Sequence, residues 1–449
     1  MTFERSLQLQ KKFHELIPGG SHTYAKGDDQ YPEFMPPYIT HGKGCHVWDA
    51  DGNEFIEYGM GLRAVTLGHA YQPVIEAAVA QMLKGSNYAR PGVIELEAAE
   101  EFLSLIPGAE MVKFAKNGSD ANNGAVKLAR AWTGRDLVAV CGDQPFFSVD
   151  DWFMGTTAMD AGIPESVKCL TLKFRYNDIE SARMMFAKHP KKIACVILEA
   201  EKERPPLNNF LQELQALCRQ EGALFILDEM ITGFRWHLNG AQTMYGLDPD
   251  LSTFGKALSN GFSLSALAGK REIMELGGLT QTARPRVFLN STTHGAENHA
   301  LAAGIAVMNI YKREPVIETL CIRGERLKRG FEAAIRAYGL TDYVSVLGRP
   351  ACLVFGTRDG EKKPSQPFRT LFLQELLKRG IIAPSLVVSY SHTEDDIDRT
   401  IEAIDESLEI YARALEQGID GYLIGRPVQP VFRTYNTHPA SHEAGIGQR

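Results

Sequence analysis

Apolar and polar positions along this chain fall into blocks of different period, and the blocks predict its elements. Residues 6–17 carry the spacing of a helix, which Pro18-Gly19-Gly20 ends. Cys45-His46-Val47-Trp48 and Glu54-Phe55-Ile56-Glu57-Tyr58 flank Asp51-Gly52, a hairpin signature. Between about 72 and 311, short apolar runs alternate with longer helical patterns, as a parallel sheet with crossover helices requires. Residues 193–198 and 223–227 are apolar throughout, the pattern of strands buried on both faces, and 209–220 between them has helical spacing. Beyond about 314 the order becomes a helix, two short strands near 343–347 and 351–355, and helices from about Pro367 and Glu394.

These blocks predict an α/β fold. An N-terminal arm, 1–71, contributes to the smaller domain; 72–313 form a large domain with a mostly parallel sheet flanked by helices. Residues 314–417 form a smaller α+β domain, and 418–449 an extended tail, favoured by Arg426-Pro427-Val428-Gln429-Pro430.

Composition agrees with two cores: 449 residues, of which 44% are hydrophobic. The net charge of -7 arises from 48 basic and 55 acidic residues spread along the chain, without the basic stripe of a nucleic-acid binder. The start of the chain lacks an apolar signal core, and no stretch approaches the ~20 apolar residues that cross a bilayer, so a cytoplasmic protein without a membrane partner is expected. Seven scattered cysteines without a C-x-x-C pair read as reduced core thiols, and no metal is expected.

Three segments carry chemistry. Leu224-Phe225-Ile226-Leu227-Asp228-Glu229-Met230 brings two carboxylates to the C-terminal end of a buried strand, the edge where parallel sheets bind ligands. A carboxylate there suits a metal, a base or a cationic nitrogen; taken alone, the pair also reads as an exposed strand end. Lys256, in Phe254-Gly255-Lys256-Ala257, has apolar and small neighbours, and desolvation lowers an amine toward a nucleophile. In Phe114-Ala115-Lys116-Asn117-Gly118-Ser119-Asp120-Ala121 a strand passes through Gly into a helix expected from Asn122, where backbone N–H groups and a hydroxyl make either a phosphate cup or a capping turn.

The ordered set of these segments resembles the class III aminotransferases of fold type I, and among them the glutamate-1-semialdehyde aminomutases. It comprises Ile17-Pro18-Gly19-Gly20, Leu67-Gly68-His69, Asn117-Gly118-Ser119, Asp228-Glu229-Met230-Ile231-Thr232-Gly233-Phe234-Arg235, Pro249-Asp250-Leu251, Gly255-Lys256 and Ala302-Ala303-Gly304. The resemblance implies a pyridoxal 5'-phosphate enzyme. Lys256 would hold the cofactor as a Schiff base and later shuttle a proton, and Asp228 would pair with its pyridine nitrogen. Gly118 and Ser119, with Asn117 beside them, would hold the phosphate; Met230 would pack on one ring face and Phe146 on the other. Thr293, supplied by a partner subunit, would complete the phosphate site of a homodimer with shared active sites.

Departures from the family pattern bear on the substrate. Pro145-Phe146-Phe147-Ser148 replaces an aromatic-His-Gly; Lys26 stands where the aminomutases place an arginine that reads the substrate carboxylate; the loop after Pro384 is shorter and lacks an acidic residue. Arg63 adds a cation suited to an acidic or hydroxylated substrate, or to a structural ion pair. These features favour amino transfer from glutamate to a hydroxylated carbonyl acid or sugar-like substrate, such as 8-oxo-3-deoxy-octulosonate. The alternatives are a glutamate-1-semialdehyde aminomutase, a decarboxylase using the same cofactor, and a non-catalytic cofactor-binding regulator, which would not need both Lys256 and Asp228.

Overall fold

The computed structural model describes residues 1–436. The N-terminal helix Glu4–Leu16 stops at a 3-10 turn, Pro18–Gly20. Three strands follow: β1 (Ile39–Lys43), β2 (His46–Asp49) and β3 (Glu54–Glu57). The expected hairpin is β2–β3, with Val47 opposite Phe55 and Gly52 at φ +83, a left-handed value open to glycine. Val47 and Phe55 point inward onto Phe3, Leu377 and Ile382. The strand β1 had no hydrophobic signal because it buries no residue fully.

Seven strands build the large sheet: β4 (Met111–Ala115), β5 (Leu137–Cys141), β6 (Thr171–Phe174), β7 (Ile193–Glu199), β8 (Leu224–Asp228), β9 (Leu251–Phe254) and β10 (Ser265–Gly269). Their spatial order is β4-β10-β9-β8-β7-β5-β6. Strands β5 to β9 run parallel, whereas β10 is antiparallel to both β9 and β4. Every residue of β7 and β8 is buried, and alternation sends them to opposite faces. Ile197 and Ile226 meet Ala121, Ala125 and Leu128 of helix Gly118–Thr133 on one side. Val196 and Phe225 meet Leu211 and Leu214 of helix Phe210–Glu221 on the other. Each large apolar side chain so covered stabilises the sheet by roughly 1.5–3 kcal/mol, which accounts for the continuous apolar runs.

The C-terminal part contains helix Val316–Ala337, β11 (Val344–Leu347), β12 (Cys352–Thr357), helix Gln366–Lys378, β13 (Ile381–Ile382), β14 (Leu386–Val387) and helix Glu394–Gln417. Strands β11, β12 and β14 form one sheet, while β13 pairs in parallel with β3, so the hairpin sheet draws strands from both ends of the chain. Thr393 and Asp396 form a capping box at the start of the last helix.

The tail then lies across the N-terminal arm. Gln429 N–H donates to the Asp29 carbonyl at 2.9 Å, and Arg433 pairs with Asp29 at 2.7 Å. The last part of the expected tail, 437–449, lies outside the described residues. Among those described, no helix is long and apolar enough to cross a membrane. Of the seven thiols read as core residues, Cys169 and Cys321 are instead exposed, on a short helix end and a helix surface.

Candidate active site

The two carboxylates at the end of β8 part company. Asp228 turns toward helix Gly118–Thr133, where Asn122 Nδ2 donates to its Oδ2 at 2.8 Å, while Met230 N–H donates to Oδ1 at 2.8 Å. Asn122 is itself held by Thr253, whose hydroxyl donates to Oδ1 at 2.6 Å. Glu229 is wholly buried and structural: it accepts from the Thr232 hydroxyl and from the N–H groups of Ala241 and Gln242, at 2.9 and 2.7 Å. Only Asp228 is placed to meet a ligand.

Lys256 follows β9 in a left-handed conformation, φ +47, which turns its backbone sharply out of the strand. Burial lowers its pKa, opposed by the Glu199 and Asp228 carboxylates. Glu199 ends β7 in register with Asp228. Burial raises its pKa to about 7, against the pull of Lys202 and with a further push from Asp228. Asp228 is raised for the same first reason, burial, with Lys256, Met230 N–H and Asn122 opposing.

The third part is the mouth of helix Gly118–Thr133. Asn117 caps it by accepting from Asp120 N–H at 3.1 Å, which leaves the N–H groups of Gly118 and Ser119 at the positive end of the helix. Ser119 Oγ accepts from Val149 N–H at 3.1 Å and keeps its own proton to donate. The helix expected from Asn122 thus starts at Gly118. Met230 lies between this mouth and Lys256: a Cβ on Gly118 would come 2.9 Å from its Sδ, and one on Gly255 2.7 Å.

A desolvated lysine, a strand-end carboxylate held by hydrogen bonds and a helix mouth around one Met side chain agree with the relatives of the chain. The family model for "Aminotransferase class-III" matches residues 27–408. The chain belongs to the class III aminotransferases. Among similar proteins, the glutamate-1-semialdehyde 2,1-aminomutase of Acetivibrio thermocellus is 33% identical, covering 90% of this chain and 97% of that protein. The one from Persephonella marina is 30% identical, over 90% and 99%. Among solved structures, the pyridoxal phosphate internal aldimine form of the FumI protein of Sphingopyxis sp. MTA144 superposes with a TM-score of 0.83, at 27% identity, covering 92% of this chain and 98% of that one.

Pyridoxal 5'-phosphate is the cofactor of this family. The residues fit it: Asp228 has lone pairs left for a protonated ring nitrogen, Lys256 is an amine without bulk water, and Gly118 and Ser119 offer donors for a phosphate. Glycine at 118 and 255 leaves the Met230 side chain its place beside them.

The remaining expected residues are more dispersed. Phe146 is 44% exposed, its ring edge-on to Phe153 at 5.9 Å, whereas Phe147 is a core residue whose carbonyl accepts from Asn122. Thr293 lies on an exposed loop, its carbonyl accepting from Asn87 at 3.0 Å. Lys26 ends the exposed 3-10 turn Tyr24–Lys26 and hydrogen-bonds to none of Lys256, Asp228 or Arg63. Arg63 does join the buried charged group: Lys256 and Glu199 both feel its charge.

The sequence reading gives no site role to Asn122, Glu199 or Cys352, and names Arg235 only as the end of a family motif. The first is a polar residue inside a helix; the second, like Asp228, is a carboxylate that ends an apolar strand, a signal that was there to read. Arg235 is fully buried, and Cys352 begins β12 beside Arg63.

Proposed function

We propose that this aminotransferase-family enzyme acts on a small amino carbonyl compound that carries a carboxylate, which Arg63 reads. Glutamate-1-semialdehyde is the substrate proposed first, with its amino and carbonyl groups exchanged in place. The observation that carries the reading is the backbone of residues 60–63. Met60, Gly61, Leu62 and Arg63 all have positive φ, from +43 to +73. A left-handed conformation costs roughly 1–2 kcal/mol for each non-glycine residue. Such strain persists where surrounding contacts enforce it, and here Arg235 ties the end of the turn to the Ile231 carbonyl, next to Met230, which keeps a cation near the Lys256 group.

When bound, pyridoxal phosphate supplies an electron sink for charge on the carbon that bears the nitrogen. Asp228 keeps the ring nitrogen protonated, and Lys256, its pKa lowered by burial, takes up and returns the proton on that carbon. Ser119 and Gly118 orient the phosphate end, and the free face of Phe146 suits it to cover the ring.

The near full-length relatives favour the aminomutase reading by name. An octulosonate acceptor has no counterpart among them. A second reading, transfer from glutamate to another carbonyl acid, rests on Lys26, which keeps the charge of the expected arginine but not its fork.

A homodimer belongs to the same proposal. Helix Gln72–Met82 exposes Ile75, Val79 and Met82 in one stripe, continued by Leu83, with Tyr88, Val93, Leu96 and Phe288 also exposed. A second copy of this chain is the occupant proposed for that surface, with Thr293 reaching the neighbour's phosphate site.

The test gives the loaded enzyme glutamate-1-semialdehyde without any donor and, in a separate assay, glutamate alone. Formation of 5-amino-4-oxopentanoate supports the first reading. Release of 2-oxoglutarate from glutamate, with no such product, supports the second; neither product would overturn both.

A further inference from the structure

Arg63 is gripped at both ends by residues from two other parts of the fold. Arg235, in the loop after β8, is fully buried; its Nη2 donates to the Arg63 carbonyl and to Thr66 Oγ1 at 3.2 Å, and its Nη1 to the Ile231 carbonyl at 2.9 Å. The first of these bonds ties off the strained turn at its last residue. At the other end, Arg63 Nε donates to Cys352 Sγ at 3.2 Å. Cys352 is the first residue of β12, paired with Val387 of β14. Around the two side chains, Met60, Val65, Cys352 and Val387 form a separate apolar cluster.

A guanidinium has two faces for a carboxylate: one through Nε and one Nη, the other through both Nη groups. Cys352 takes the Nε side. Among the described residues, no hydrogen-bond partner takes the two Nη groups, and Arg235 links the Arg63 carbonyl to that of Ile231, the neighbour of Met230 beside Gly255. A thiol is a weak acceptor. It holds the orientation without neutralising the cation, as an aspartate in its place would.

We infer that Cys352 and Arg235 are positioning residues that mount Arg63 as an end-on fork for the carboxylate of a short dicarboxylate-like substrate. Arg235 fixes the backbone of the turn, and Cys352 fixes the rotation of the side chain. Because the three residues come from the arm, the large-sheet domain and the C-terminal sheet, carboxylate recognition depends on the seating of all three parts. The inference deepens the proposed function and rests on Arg63 as the carboxylate reader.

The experiment measures calorimetric binding of glutarate, a five-carbon dicarboxylate without amine or carbonyl, to the loaded protein and to its variants. Cys352→Ala is expected to weaken binding roughly tenfold, the order that follows when a charge-assisted fork loses its alignment. Cys352→Ser, which keeps an acceptor, should recover most of that loss. Arg63→Ala should weaken binding further, and adding Cys352→Ala to it should then change nothing, since Cys352 acts only through Arg63. Arg235→Lys, whose single ammonium lacks the spread of a guanidinium and cannot span the Ile231 carbonyl and the Arg63 and Thr66 oxygens together, should behave as Cys352→Ala if it folds. Wild-type binding in Cys352→Ala, with Arg63→Ala weakened, would overturn the mount and leave the Arg63 reading standing. Undiminished binding in Arg63→Ala, or none in the wild type, would overturn both.

Discussion

Asn122 donates through one Nδ2 to Asp228 Oδ2 at 2.8 Å and to the Phe147 carbonyl at 2.7 Å. One amide therefore ties Asp228, the carboxylate proposed to face the cofactor ring, to the segment that carries Phe146. Replacing it by leucine removes a donor from a buried carboxylate, a loss of about 1–3 kcal/mol. Asn122→Leu is expected to lower both the melting temperature and the affinity for pyridoxal phosphate, followed by its visible absorbance. Unchanged cofactor affinity would show that Asp228 does not depend on this bond.

Glu199 makes the protein pH-sensitive. Its pKa rises from 4.5 unfolded to about 7 folded because burial disfavours the charge. With a raised carboxyl pKa the unfolded chain releases the proton first, so folded stability falls as pH rises from about 4.5 to about 7 and then levels. Glu199→Gln should remove this fall. Urea unfolding at several pH values checks it: the difference in stability between variant and wild type should grow across that window, and a constant difference would contradict the assignment.

Packing around Gly324 gives a prediction independent of the chemistry. A Cβ there, in helix Val316–Ala337, would overlap the Pro350 carbonyl oxygen. The contact is with backbone, so no side chain can swing away. Gly324→Ala should destabilise the fold by about 1–3 kcal/mol, read as a lower urea midpoint. An unaltered midpoint would mean that the 348–351 turn yields freely.

Much of the fold was legible where burial left an unbroken signature. Strands β7 and β8 and the helix between them were readable because each face of the sheet is covered, and Asp228 because it interrupts an apolar run at the ligand-binding edge. The antiparallel direction of β10 was not, since small residues at 265–269 pack equally well either way. The left-handed turn at 60–63 was hidden for a different reason. Only Gly61 signals positive φ, and the contacts that impose it on Met60, Leu62 and Arg63 include Arg235, far away in the chain. Lys26 shows the converse: a motif match that places a charge on an exposed turn, outside the buried group formed by a single chain.

The tail supplies a fourth test. Arg426 Nη2 donates to the Asp28 carbonyl at 3.0 Å, and its own N–H to Glu33 Oε2 at 2.8 Å, so it holds the loop that follows Lys26. Arg426→Ala keeps the bond to Glu33, which is a backbone one, but loses the bond to Asp28; it should cost about 1 kcal/mol and raise amide hydrogen exchange in 28–31, with the cofactor absorbance unchanged. Exchange equal to that of the wild type would show that the other tail contacts suffice.

The central claim is that Lys256 is the amine that holds pyridoxal phosphate. Borohydride reduction of the loaded protein, followed by digestion and mass spectrometry, tests it most directly. The reduced cofactor is expected on the peptide containing Lys256 and to be absent in Lys256→Ala; label on another lysine, or on none, would contradict it.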